Sequence, residues 1–131
     1  MVAMGLVVPE AEAAPPAPSG DQLTSQLHLI LNRAADRTAR INELADPSAI
    51  TGADNIAALE DVFGWAYTWK VINPAAGGDT MTAQLAITLN DHSNRQGQVK
   101  TTPLSYAGGG NHWKLSKASV CSLAKQFQTS C

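Results

Sequence analysis

The sequence predicts an α+β domain, with N-terminal helices and a C-terminal helix packed on one face of a four-stranded antiparallel sheet. Three observations carry the prediction. Apolar residues recur at helical spacing before residue 64 and again after residue 116, the mark of amphipathic helices. From Trp65 to Leu115 the period falls to two, as on strands whose alternate side chains face opposite sides. The strands also form one uninterrupted run, which argues for a meander and against alternating βαβ units.

Ser19 with Gln22 has the form of a capping box and opens a stripe of Leu23, Leu27, Ile30, Leu31 and Ala34. The same spacing continues through Thr38, Ile41 and Ala45. Periodicity alone therefore permits one helix as far as Asp46-Pro47, and equally a break near Asp36. Asp46 to Gly52 reads as a linker, after which Asp54 caps a short helix with Ile56, Leu59 and Phe63 on one face, ended by Gly64. In the first strand Trp65, Tyr67, Trp69 and Val71 face one way and Ala66, Thr68, Lys70 and Ile72 the other. A turn from Asn73 to Asp79 leads to the second strand, where Met81, Ala83, Leu85, Ile87 and Leu89 alternate with polar or small residues. A polar loop, Asn90 to Gly97, precedes the third strand, Gln98 to Tyr106, in which Pro103 predicts an edge or a bulge. Gly108-Gly109-Gly110-Asn111 turns the chain into Trp113-Lys114-Leu115. Ser116 then caps a last helix whose Val120, Leu123, Ala124 and Phe127 share a face.

Met1 to Val8 is almost wholly apolar and is followed by Ala11-Glu12-Ala13, the form of a signal-peptide core with an A-x-A cleavage site, although the first basic residue is Arg33. The expected organisation is a signal-peptide remnant over 1–13, a stiff Pro-rich spacer over 14–20 and a single domain over 21–131. Cys121 and Cys131 are the only cysteines. In a small exported chain such a pair predicts a disulfide, which requires the chain to fold back near Phe127.

Of 131 residues, 44% are hydrophobic and 15% charged, which suits one domain with a core of its own. A formal charge of −2 carries no polybasic signature of a nucleic-acid binder, and no apolar stretch approaches the roughly 18 to 20 residues of a transmembrane segment. Charge is uneven: residues 1–63 hold 3 basic and 9 acidic side chains (−6), residues 64–131 hold 6 and 2 (+4), which at this size reads as solvated faces.

Acid–base catalysis needs titratable groups that converge in a pocket. The four predicted strands contain no Asp, Glu or His, so a site of that kind has nothing to draw on from inward-facing strand positions. Asp91-His92 is an adjacent pair in a hairpin loop, where neighbouring side chains point apart and serve the turn. His112 follows three glycines, but this segment joins two strands and lacks the G-K-[ST] of a phosphate loop. His28 lies off the apolar stripe of the first helix and is assigned to the surface. Dispersed histidines and cysteines ten positions apart offer no metal-ligand spacing, so no metal or cofactor is expected. There is no G-x-S-x-G nucleophile motif.

The row Trp65, Tyr67, Trp69, with Leu85 and Trp113, is the strongest candidate for a binding surface. Sealed under the helices, such a row is core. Left partly open, it lines a cleft for an apolar ligand or a protein partner.

The C-terminal pattern Trp113-x-Leu115-Ser116-Lys117-Ala118-Ser119-x-x-x-Leu123 follows a Gly-rich turn and Pro103-Leu104-x-Tyr106. With Gln22-Leu23-Thr24-Ser25-x-Leu27 and Val71-Ile72-Asn73-Pro74-Ala75-Ala76-Gly77, it resembles the mycobacterial low-molecular-weight secreted antigen family over about residues 22–127. The resemblance implies a cystatin-like or nuclear-transport-factor-like (NTF2-like) domain with a curved sheet. It also implies a secreted or wall-associated location and no catalytic site to carry over, and it favours a break around Ala35-Asp36-Arg37 with Thr38 to Leu44 as a separate short helix. The cysteine pair and the cluster Trp65-Ala66-Tyr67-Thr68-Trp69 depart from the family's pattern.

The expected function is that of an exported, non-enzymatic antigen, secreted or held in the cell wall, that binds a protein partner or a small apolar ligand. The alternative is an isomerase- or dehydratase-like enzyme on the same scaffold, with Asp91, His92 or Asp54 folded into an aromatic pocket.

Overall fold

A computed structural model describes residues 18–63, 67–90, 96–109 and 112–131. The expected signal-peptide remnant, the first four residues of the spacer, Trp65 and the Asp91-His92 pair lie outside the described residues.

Helix α1, Gly20–Ile30, opens on the capping box: Ser19 Oγ accepts from the Gln22 N–H at 3.1 Å and Gln22 Oε1 from the Ser19 N–H at 2.9 Å. It buries Leu23, Leu27 and Ile30. Of the two readings that periodicity left open, the chain takes the break. Asp36 caps a separate helix α2, Arg37–Ile41, its carboxylate accepting from the Ala39 N–H at 3.0 Å. The break lets Arg40, 2% exposed, turn back so that its Nε donates to Ile30 O at 2.9 Å. That satisfies a carbonyl in the last turn of α1 that the helix itself leaves unpaired.

The expected linker from Asp46 to Gly52 is instead structured. Asp46 caps a 3-10 turn, Pro47–Ala49, that runs straight into helix α3, Ile50–Phe63. Asp54 therefore lies inside this helix and does not cap it. Gly52 misled the sequence reading because it looks like a breaker. A Cβ at Gly52 would stand 3.0 Å from both Cys131 Sγ and Val120 Cγ1, so the glycine serves close packing.

The sheet consists of β1 Tyr67–Gly77, β2 Thr80–Asn90, β3 Gln96–Gly109 and β4 His112–Leu115, in the order β1-β2-β3-β4 with every neighbour antiparallel. Helix α4, Lys117–Gln126, follows, capped by Ser116. Most of the expected Asn73–Asp79 turn is strand. The register shifts between Ile72 and Ala75, where Asn73 takes φ 56°, a left-handed excursion that Asn tolerates. The turn itself is Gly78-Asp79, with Gly78 at φ 70°, as the first central residue of a type II′ hairpin requires. Pro103 pairs with Gln84 in the middle of β3, but β4 reaches only from Tyr106 to Gly109. At Pro103 the strand is already an edge, which is where proline is tolerated.

Both outer edges are partly covered, as exposed strand edges demand. On β4, Leu115 donates its N–H to Glu43 O and accepts from the Ala45 N–H, each at 2.9 Å. On β1, Thr24 Oγ1 accepts from the Val71 N–H at 2.8 Å. The sheet curls into a half-barrel around Leu27, Ile30, Leu85, Leu104, Leu115 and Leu123, all buried. On β1 Val71 is buried while Trp69 and Tyr67 are only part-buried, so the cone is less tightly closed at the Tyr67 end.

Candidate functional site

At the less closed end lies a cavity of about 320 Å³. Helix α3 contributes Ile56, Leu59 and Glu60, β1 Tyr67 and Trp69, and β2 Leu85 and Ile87. The end of α1 brings Leu31, and α4 with its following turn brings Leu123, Gln126, Phe127 and Gln128. Phe127 meets Tyr67 edge-on with ring centroids 6.0 Å apart, an arrangement that aromatic quadrupoles favour. Gln126 is turned to the sheet, its Nε2 donating to Thr102 Oγ1 at 2.7 Å.

Phe127 and Gln128 reach the cavity because α4 ends in a Schellman turn. The Thr129 N–H donates to Ala124 O at 2.9 Å and the Gln128 N–H to Lys125 O at 3.0 Å, with Gln128 at φ 59°. The reversed chain brings Cys131 to Cys121, and the two are joined by a disulfide with Cα atoms 5.1 Å apart. Asn55 of α3 fastens the same tail, its Nδ2 donating to Ser130 O at 2.8 Å.

Of the residues singled out from the sequence, the fold brings Tyr67, Trp69 and Leu85 together on one wall of this cavity. Trp113 lies elsewhere. Its ring is 3% exposed and lies over Gly108, where a Cβ would stand 2.8 Å from Cζ3, so this indole is core at the closed end. Asp54 accepts from Arg40 and Arg37 and does not line the cavity. His112 is set against Glu43, Nε2 to Oε2 at 3.4 Å. Among the described residues no three potential metal ligands come together.

Sequence reasoning missed Glu60. It stands four residues after Ile56 and next to Leu59, in the middle of an apolar stripe. That carboxylate at a position due to face the core was the available signal. Burial pushes the Glu60 carboxyl up from its ordinary value, while the nearby His28 charge and a hydrogen bond from the Trp69 indole oppose the rise. His28 is exposed, as expected, but its ring lies on Trp69 with centroids 4.5 Å apart. The cavity is therefore mainly apolar, with one half-buried carboxylate, Glu60, on its wall.

A curled antiparallel sheet with helices in its hollow and an apolar chamber at one end defines the cystatin-like or NTF2-like class of α+β proteins. Within that class the chain belongs to the family described as low molecular weight antigen MTB12, whose C-terminal-domain model matches residues 16–131. Comparison with curated proteins and with solved structures yields no match. Among the described residues, no helix is long and apolar enough to cross a membrane.

Proposed function

We propose that this antigen-family protein is exported, remains secreted or wall-associated, is not an enzyme, and binds a small apolar ligand in the cavity between Trp69, Leu85 and Phe127. The observation that carries the binding reading is the half-open aromatic wall. Tyr67 and Trp69 are only part-buried although they face the side of the sheet that the helices cover, and such apolar chambers with few polar groups are the usual form of small-molecule sites. The disulfide supports export, since such bonds persist in oxidising compartments. Binding is tested by titrating the chain with the neutral fluorophore N-phenyl-1-naphthylamine. Saturable enhancement that Leu85→Trp abolishes supports the reading, and its absence refutes it. Fractionating the producing cells tests export: recovery only from the cytosol would overturn it.

Glu60 favours one second reading, the isomerase- or dehydratase-like enzyme, because a carboxylate raised by burial beside aromatic residues is suited to proton abstraction. Its signature would be Glu60-dependent hydrogen–deuterium exchange at the α carbon of a bound ketone.

A further inference from the structure

We propose that the cavity's ligand is an amphiphile with a cationic head, its apolar part between Leu85, Ile87 and Phe127 and its head at the rim against Glu60 and the rings of Trp69 and Tyr67. This rests on the apolar-ligand reading and adds the chemistry of the head.

The apolar chamber has a polar neighbour. A second, more open depression shares Leu31, Glu60, Tyr67 and Trp69 with it and adds His28, Asn32, Asp61 and Thr68. The two spaces therefore adjoin, one mainly apolar and one mainly polar, and an occupant that fills both has a tail and a head. The charges on its walls favour one sign. Glu60 and Asp61 line the vestibule, and among the described residues no Lys or Arg lines either space. Arg33 lies 3.7 Å from Asp61 with both side chains at least half exposed, which leaves the half-buried Glu60 as the anion the ligand meets. The indole of Trp69 and the phenol ring of Tyr67 border both spaces, and aromatic faces attract cations. A carboxylate or phosphate head would bring like charge against Glu60.

The same geometry sets a pH signature. Glu60 is faced by His28 from α1, by Asp61 on its own helix and by the Trp69 N–H from β1. A cation seated on Glu60 stabilises its ionised form, so binding releases a proton wherever the free carboxyl is still protonated. Affinity then rises with pH as the free Glu60 carboxyl ionises.

The test uses the full, disulfide-bonded chain and displaces bound N-phenyl-1-naphthylamine with decyltrimethylammonium, decanol and decanoate, all below their micellar concentrations. The cation is expected to bind at least about tenfold more tightly than decanoate, and Glu60→Gln to remove about that factor for the cation alone. Affinity for the cation should rise as pH climbs above the ordinary Glu value of 4.5, while that for decanol stays level. Glu60→Lys should reverse the order of cation and decanoate. If the fluorophore binds but the three heads compete equally, or decanoate competes best, or Glu60→Gln changes nothing, the cationic head is refuted and the apolar-ligand reading stands. If the fluorophore itself does not bind, the cavity reading fails and the inference falls with it.

Discussion

Replacing Asp54 by Asn tests how the helical layer is held together. Arg40 is nearly inaccessible, its side chain 3% exposed, and its Nη2 donates to Asp54 Oδ1 at 2.7 Å while its Nε donates to Ile30 O. Removing the carboxylate leaves a buried guanidinium with only neutral acceptors, and breaking a buried pair costs about 3–5 kcal/mol. Asp54 is 32% exposed, so water recovers part of this and about 2–3 kcal/mol is expected. Arg37, 59% exposed at 3.0 Å from the same carboxylate, gives a control of about 0–1 kcal/mol on replacement by Ala. Burial acts to raise the Asp54 carboxyl, but hydrogen bonds and charge from Arg40 and Arg37 outweigh it and hold the group below its ordinary value of 3.8. Its stabilising contribution is therefore complete above the unfolded value and is lost as pH falls through the lower folded one. Urea titrations followed by tryptophan fluorescence should show wild type losing its advantage over Asp54→Asn as pH drops below about 4. A cost under about 1 kcal/mol, or one no larger than that of Arg37→Ala, would refute the assignment of Arg40 to Asp54.

Gly52→Ala sets a helix-propensity gain of about 1 kcal/mol against a contact that Cys131 cannot relieve while bridged. It should destabilise the oxidised chain, and less so when both cysteines are replaced by Ser, the contact with the buried Val120 remaining, as read by thermal melts of the two backgrounds. Tyr106→Phe should leave stability unchanged or raise it by up to about 1–2 kcal/mol, because among the described residues the buried hydroxyl has no partner. A clear loss in urea titration would show that the hydroxyl is satisfied. Gln128→Gly relieves a left-handed residue at φ 59° and should stabilise by about 1 kcal/mol; an unchanged urea midpoint would contradict that. Reducing the bridge, which spans a sequence separation of 10, should cost about 2–3 kcal/mol on the chain-entropy account and weaken fluorophore binding by freeing Phe127. Full binding by the reduced chain would separate tail from cavity.

The elements most legible in the sequence were those whose local signals agree with their tertiary setting. The Ser19-Gln22 box and the Ser116 cap define helix starts without help from distant residues, and the alternation from Met81 to Ile87 survives because Met81, Ala83 and Leu85 are buried and Ile87 is part-buried on one face of β2. The errors fall where a distant partner decides. Gly52 reads as a linker until Cys131 is placed against it, Asp54 reads as a cap until Arg40 arrives from α2, and Asn73-Pro74 reads as a turn until pairing with β2 resumes at Ala75. The candidate wall was half legible. Strand alternation put Tyr67, Trp69 and Leu85 on one face, but it cannot say that Trp113, reached through the β3–β4 hairpin, sits at the opposite end of the cone.

The distribution of packing explains why the apolar cavity forms where it does. At the β4 end, Trp113 lies on Gly108, Tyr106 and Leu115 are buried, and the chain around Leu44 is bonded to the outer edge of the sheet; that end has no room for an occupant. At the other end, the inward residues of β1 and β2 face Ile56, Leu59 and Glu60 of α3 and the C-terminal half of α4 with the turn that follows it. Helix ends are the least cohesive parts of such a layer. The tail bonds to Asn55, packs on Gly52 and is bridged to Cys121 at the point where fraying would open the wall. A disulfide that only stabilised the domain could close a loop anywhere; this one fixes the turn carrying Phe127 and Gln128. Covalent closure and the shape of the cavity are therefore one structural feature.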